Sequence, residues 1–227
     1  MATHHDDEEQ LDNLKRWFSE NWMALAAGLV IGFGAIGGWQ GWKAYHEKQY
    51  LAASQMYTDL KKALEASKPA EAAGIADKLQ ADYPGTPYAT AAALRLAQVA
   101  VIDNKLDDAA KRLDWVVANG DDDSLKQLAK VRKARVLWQQ GKADEALKAV
   151  EGEGGEFASL AAELRGDIQQ AKGDRDAARS AYEAALKAAP ENAANRALLQ
   201  QKLDDLAVET AAAEPAAAPA AAEAVKP

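Results

Sequence analysis

Between Met23 and Trp39 the chain reads MALAAGLVIGFGAIGGW, with no polar residue at any position. A soluble amphipathic helix shows polar residues every third or fourth place, so this stretch does not belong on the surface of a globular domain. Its surroundings, residues 21–42, are free of charge, although charged residues make up 27% of the chain. From Lys43 onward the pattern changes. Apolar residues recur at helical spacing, and no β-branched run suggests a strand. The pattern predicts an all-α protein: one transmembrane helix over 21–42, then a helical body over 43–208.

A helix of 22 residues rises about 33 Å, against a hydrocarbon core of about 30 Å. Trp17 and Trp22 stand at one end and Trp39 and Trp42 at the other, where amphipathic indoles favour the headgroup layers. A cleaved signal peptide would have a basic start and a small-x-small exit. Here the start is acidic and the exit is tryptophan, so a retained anchor is expected. Lys15 and Arg16 precede the span and Lys43 and Lys48 follow it, so charge does not set its orientation. Gly28-x-x-x-Gly32, Gly34-x-x-x-Gly38 and Gly37-x-x-x-Gly41 would let another helix approach closely. Gly28, Gly32, Gly34 and Gly38 are therefore candidate helix contacts within the bilayer.

The body repeats itself. NKLDDAAKRL from Asn104, GKADEALKAV from Gly141 and GDRDAARSAY from Gly173 follow one another at spacings of 37 and 32 residues. Five residues after each turn residue stands Ala109, Ala146 or Ala178; seven before it, Ala97, Ala134 or Gly166; nine after it, Leu113, Val150 or Tyr182. Small residues at fixed places on two consecutive helices permit a close antiparallel crossing, and the larger residue fills the adjacent space. The pattern resembles the tetratricopeptide repeat, a helix-turn-helix unit of about 34 residues. Residues 45–84 read as a degenerate first copy through Ala72, Ala76, Leu79 and Pro84. Pro69 is placed to open a helix, and Thr86 and Pro87 to cap and open the next. Residues 193–206, with Leu199, Leu203 and Leu206, should cover the end of the stack. Residues 209–227 are nearly all Ala, Pro and Glu and are expected to be disordered.

Charge narrows the partners. The total is −8; residues 1–20 hold six acids and two bases, a net of −4, so the other −4 lies beyond the uncharged span. An acidic body is a poor binder of nucleic acid. The chain has no cysteine, which excludes disulfides, thiolate metal sites and cysteine nucleophiles. His4 and His5 sit beside the acid run in a start expected to be unfolded, and His46 lacks the second histidine of a zinc-protease helix. EGEGGEF at 151–157 follows a helix rather than a strand and carries no lysine, so it reads as a loop, not a phosphate cradle. Asp121, Asp122 and Asp123 lack the glycine and distant glutamate of a calcium loop and read as a cap for a helix from Ser124. No catalytic constellation, cofactor site or metal site emerges, so a non-enzyme is expected.

A stack of helical hairpins presents a concave surface, lined by the first helix of each pair. Positions nine and six before each turn residue share a face. They are Arg95 and Gln98, Arg132 and Arg135, Leu164 and Asp167. This makes Arg95, Gln98, Arg132, Arg135 and Asp167 the candidate binding groove, its arginines suited to acidic or polar peptide groups. Trp138, six residues from Arg132, reads as core, with a groove anchor as the alternative.

LKRWFSEN ahead of an anchor ending GWQGW, and ELRGDIQQAKGDRDAARSAYEAAL near the end of the repeats, resemble the YfgM family, ancillary subunits of the bacterial SecYEG translocon. The likeness runs from about Leu11 to Leu206 and leaves out the acidic start and the Ala/Pro tail. It implies a single-pass inner-membrane protein with residues 1–20 in the cytoplasm and the repeat domain in the periplasm. It further implies association with SecYEG, with periplasmic chaperones including a membrane-anchored prolyl isomerase, and with exported polypeptides. The implied role is to help hand exported chains to those chaperones. The residues alone also admit a membrane-anchored scaffold for a cell-envelope assembly or division complex.

Overall fold

The computed structural model describes residues 3–213. The chain divides into two units after Gln55. Among the described residues it is helical, with no strand: α1 (Thr3–Glu65), α2 (Pro69–Asp82), α3 (Pro87–Ile102), α4 (Leu106–Asn119), α5 (Asp123–Gln139), α6 (Ala143–Ala149), a 3₁₀ turn (Gly155–Phe157), α7 (Ala158–Ala171), α8 (Arg175–Ala188) and α9 (Arg196–Ala213).

In the first unit, α1 carries the apolar stretch. It is the one described helix long and apolar enough to cross a membrane, with a mean hydropathy of 1.6 over its best window and none of that window buried. Met23, Leu29, Val30, Ile31, Phe33 and Ile36 are all exposed, which water would penalise and hydrocarbon would not. The helix begins at Thr3, so the acidic start expected to be unfolded is helical.

The second unit is the repeat stack. Each of α2 to α5 packs on the next helix, α5 packs on both α6 and α7, and α7, α8 and α9 follow in turn. The hairpins are joined by one recurring turn. Ser67, Asn104, Gly141 and Gly173 all sit at positive φ, between 57° and 82°. At each, the turn residue's N–H bonds to the carbonyl three back, and the next N–H to the carbonyl five back. In the third hairpin these are Gly141 to Trp138 at 2.9 Å and Lys142 to Leu137 at 2.9 Å. This arrangement satisfies carbonyls that a helix end leaves open. Ser67 thus supplies the turn of the degenerate first copy, which its sequence did not mark.

The expected small positions are the crossing points. Ala97, Ala134, Ala109, Ala146 and Ala178 are buried, as is Gly166, and Leu113, Val150 and Tyr182 fill the space beside them. They fall into three apolar layers, one per hairpin: around Leu113 and Val116, around Leu164 and Ile168 with Trp138 half-buried against it, and around Tyr182, Leu199 and Leu206. The Thr86 hydroxyl oxygen accepts from the Ala89 N–H at 3.4 Å ahead of Pro87. Asp122, one residue earlier than expected for that cap, accepts from the Leu125 N–H at 3.0 Å, so α5 starts at Asp123. α9 runs on to Ala213, so residues 209–213 of the segment expected to be disordered are helical, in keeping with alanine's high helix propensity. Residues 214–227 lie outside the described residues.

Candidate functional site

The floor of the site is built by α3 and α5. Leu94, Gln98 and Val101 follow one another at helical spacing along one face of α3, and Ile102, at its end, is 76% exposed. Arg132, Arg135, Val136 and Gln139 face them from α5. Together with Ala97 and Leu113 they line a hollow of about 290 Å³. The structure therefore brings Gln98, Arg132 and Arg135 into one groove. Arg95, on the same face of α3, donates to the Gln98 side-chain oxygen at 3.1 Å but lines the neighbouring hollow with Tyr57, Lys61, Glu65 and Asp103.

The charges on α5 are sorted by direction. Each of its lysines has a carboxylate: Lys126 meets Asp123 at 3.2 Å, Lys130 meets Glu153 at 2.9 Å, and Lys133 meets Asp114 at 2.5 Å. Arg132 and Arg135 are exposed and have no such partner among the described residues. Among the described residues no acidic one lines their groove. In the hollow that Arg95 lines, by contrast, Lys61 and Arg95 are offset by Glu65 and Asp103.

Asp167 stands apart from the expected set. Its Oδ1 accepts from Lys202 Nζ at 2.6 Å and lies 2.8 Å from the Tyr182 hydroxyl, which donates to it. Lys202 also donates to Glu163 at 2.9 Å, and Asn195 donates to the other Glu163 oxygen at 3.2 Å. Leu164, which shares the face of Asp167, is fully buried. This face of α7 is thus taken up, Leu164 by the layer it shares with α5 and α6 and Asp167 by α8 and α9, and Asp167 serves to hold the end of the stack. Burial first, then the Asp167 carboxylate, push the Tyr182 hydroxyl well above its ordinary pKa. Burial alone would lower the Lys202 ammonium, but the Asp167 and Glu163 carboxylates outweigh it and the pKa is raised. These two shifted groups line none of the hollows described above. They tie α8 and α9 to α7.

What the sequence reading left out of the groove is its apolar part, Leu94, Val101, Ile102 and Val136. The spacing of 94, 98 and 101 on one helix face was the signal available. The loop 151–157 lies elsewhere: Glu153 is held by Lys130, and Gly155, at φ 66°, leaves room for the Gln127 side chain. Among the described residues no His, Cys, Asp and Glu group is arranged to hold a metal ion.

In α1, a shallow groove runs over Gly28 and Gly32 between Leu25, Leu29, Phe33 and Ile36. Gly34 and Gly38 lie about 240° further round the helix, on another face. A methyl group added at any of the four would meet nothing within 4 Å, so no contact within the described chain requires these glycines.

Stacked helical hairpins with an open, partly apolar groove, carried on a helix able to cross a membrane, define a protein-interaction module rather than a catalytic one. Residues 15–208 match the tetratricopeptide repeat-like domain family. The chain is 37% identical over 189 residues to the ancillary SecYEG translocon subunit of Escherichia coli strain K12, covering 82% of this chain and 90% of that one. It is 32% identical over 207 residues to the subunit of the same name in Neisseria gonorrhoeae, covering 89% of this chain and 98% of that one. The Haemophilus influenzae subunit is 31% identical over 186 residues, covering 82% and 91%. The chain belongs to the family of ancillary SecYEG translocon subunits.

Proposed function

We propose that this chain is a membrane-tethered adaptor at the SecYEG translocon, which binds exported polypeptides as they emerge and helps hand them to periplasmic chaperones, a membrane-anchored prolyl isomerase among them. Residues 1–20 lie in the cytoplasm, residues 21–42 cross the inner membrane, and the repeat domain stands in the periplasm. The observation that carries the reading is the open α3/α5 groove, apolar on its floor and unneutralised at its rim, on a fold whose relatives are translocon subunits. Exposed apolar surface beside free polar groups marks a place where another protein sits. Tethering raises the local concentration of the groove beside the exit of the translocon, so weak contacts suffice for transient handling. Gly28 and Gly32 give the span a face on which a translocon helix can pack.

Crosslinking in living cells tests this reading. A photoreactive residue at Arg135 or Gln98 should trap exported polypeptides and periplasmic chaperones, whereas one at the exposed Lys187 on α8 should not. Equal yields from both positions, or adducts to neither class of protein, would count against it.

A further inference from the structure

The proposed reading leaves open what the groove recognises, and the following rests on that reading. Arg132 and Arg135 lie three apart on α5, so like charges share one face and repel. The lysines of the same helix are all neutralised, so the absence of an acid here is local to the groove and not a property of α5. Leu94, Val101, Ile102 and Val136 line the same hollow as the two arginines. Gln98 has its oxygen taken by Arg95 and keeps its NH₂ as a donor, and Gln139 offers an amide with both donor and acceptor.

We infer that the α3/α5 groove binds an extended polypeptide segment in which acidic side chains alternate with Leu, Ile or Val, the carboxylates bridging Arg132 and Arg135 while the apolar side chains cover Val101 and Ile102. Charge complementarity selects the acid. A guanidinium takes a carboxylate through two parallel N–H···O bonds, which no lysine side chain or amide reproduces. The apolar floor selects a neighbouring aliphatic side chain, and the glutamine amides suit the backbone of an extended segment. An acidic body with its other α5 cations neutralised does not suit a nucleic acid or a broad anionic surface.

The test uses the full-length chain in nanodiscs of neutral lipid and a labelled peptide, Ser-Gly-Ile-Asp-Leu-Asp-Ile-Gly-Ser, followed by fluorescence anisotropy. Affinity should fall about tenfold or more when both aspartates become asparagine, or when Arg132→Ala and Arg135→Ala are combined. It should also fall as salt rises. Combined Arg132→Glu and Arg135→Glu should reject the aspartate peptide and accept its lysine counterpart, a reversal that misfolding would not produce. Equal binding of aspartate and asparagine peptides, indifference to the arginine variants, or displacement of the peptide by vesicles of phosphatidylglycerol would overturn the inference. Capture of translocon subunits by the same chains separates the two levels. Translocon retained by a chain whose groove ignores the charge of the peptide overturns this inference alone. Peptide bound as described by a chain that retrieves no translocon overturns the proposed function alone.

Discussion

Gly166 on α7 makes room for the ring of Tyr182 on α8: a Cβ built on the glycine would fall less than 3.0 Å from three atoms of that ring. The two residues occupy equivalent repeat positions to Ala134 and Val150, so the smallest side chain in the stack faces its largest fully buried one. Gly166→Ala gains about 1 kcal/mol of helix propensity but must push the ring aside. The expected net effect is destabilisation by about 1–3 kcal/mol, and more for Gly166→Leu. Unfolding of the full chain in detergent, followed by helical circular dichroism, measures it. Adding Tyr182→Leu to Gly166→Ala should recover part of the loss. Unchanged unfolding of Gly166→Leu would refute the register of the repeats.

Lys202 joins Glu163 and Asp167 across the last layer, and its Nζ lies 5.4 Å from the centre of the Tyr182 ring. Lys202→Met leaves two carboxylates without their cation. A loss of about 2–3 kcal/mol is expected, below that of a fully enclosed pair because the lysine keeps some exposure. The pH dependence has a definite sign. Both Lys202 and Tyr182 have pKa values raised above their ordinary 10.5 and 10.0. Groups with raised folded pKa values contribute stability that is complete below the unfolded values and is lost as pH rises through the folded ones. Stability should therefore decline above about pH 10, and Tyr182→Phe together with Lys202→Met should flatten that decline. A decline of the same steepness in the double variant would show that other groups control it.

The four left-handed turn residues differ in cost. Ser67 at φ 57° and Asn104 at φ 59° bear side chains where Gly141 and Gly173 bear none. Gly141→Ala or Gly173→Ala should each cost about 1–2 kcal/mol, since a Cβ crowds the following carbonyl in that conformation. Ser67→Gly should be neutral or stabilising by up to about 1 kcal/mol. Equal effects of both kinds of change in denaturant titrations would contradict the shared turn geometry.

For the span, an alkaline carbonate wash should leave the full-length chain in the membrane pellet. Ile31→Lys, which sets a charge near its middle, should cost about 2.5–3.5 kcal/mol of insertion and shift part of the chain to the soluble fraction. Release of the unaltered chain by the wash would contradict a membrane-crossing helix.

The repeat register was legible because close crossings leave small residues at fixed spacings, and these survive where other positions vary. Ala97, Ala134 and Gly166 announced themselves in that way. Ser67 did not, because serine seldom takes the left-handed backbone and the first copy lacks the glycine or asparagine that marks the others. Arg132, Arg135 and Gln98 could be placed on one side by helical phase alone, and the fold joins them. Phase does not reveal what lies opposite. Asp167 has the same phase, but α9 covers that end of the stack and Lys202 claims the carboxylate. Such a pairing between distant segments depends on how the lid packs, which no local pattern encodes. The short α6 and the extension of α9 to Ala213 are likewise matters of local glycine and alanine content that blurred the expected ends.

Affinity capture of the full-length chain from gently solubilised membranes bears most directly on a tethered adaptor at the translocon. SecYEG subunits should come with the intact chain, and a chain cut back to the repeat domain should retrieve far less of them. A capture from which SecYEG is missing, while the chain itself is recovered folded, would contradict it.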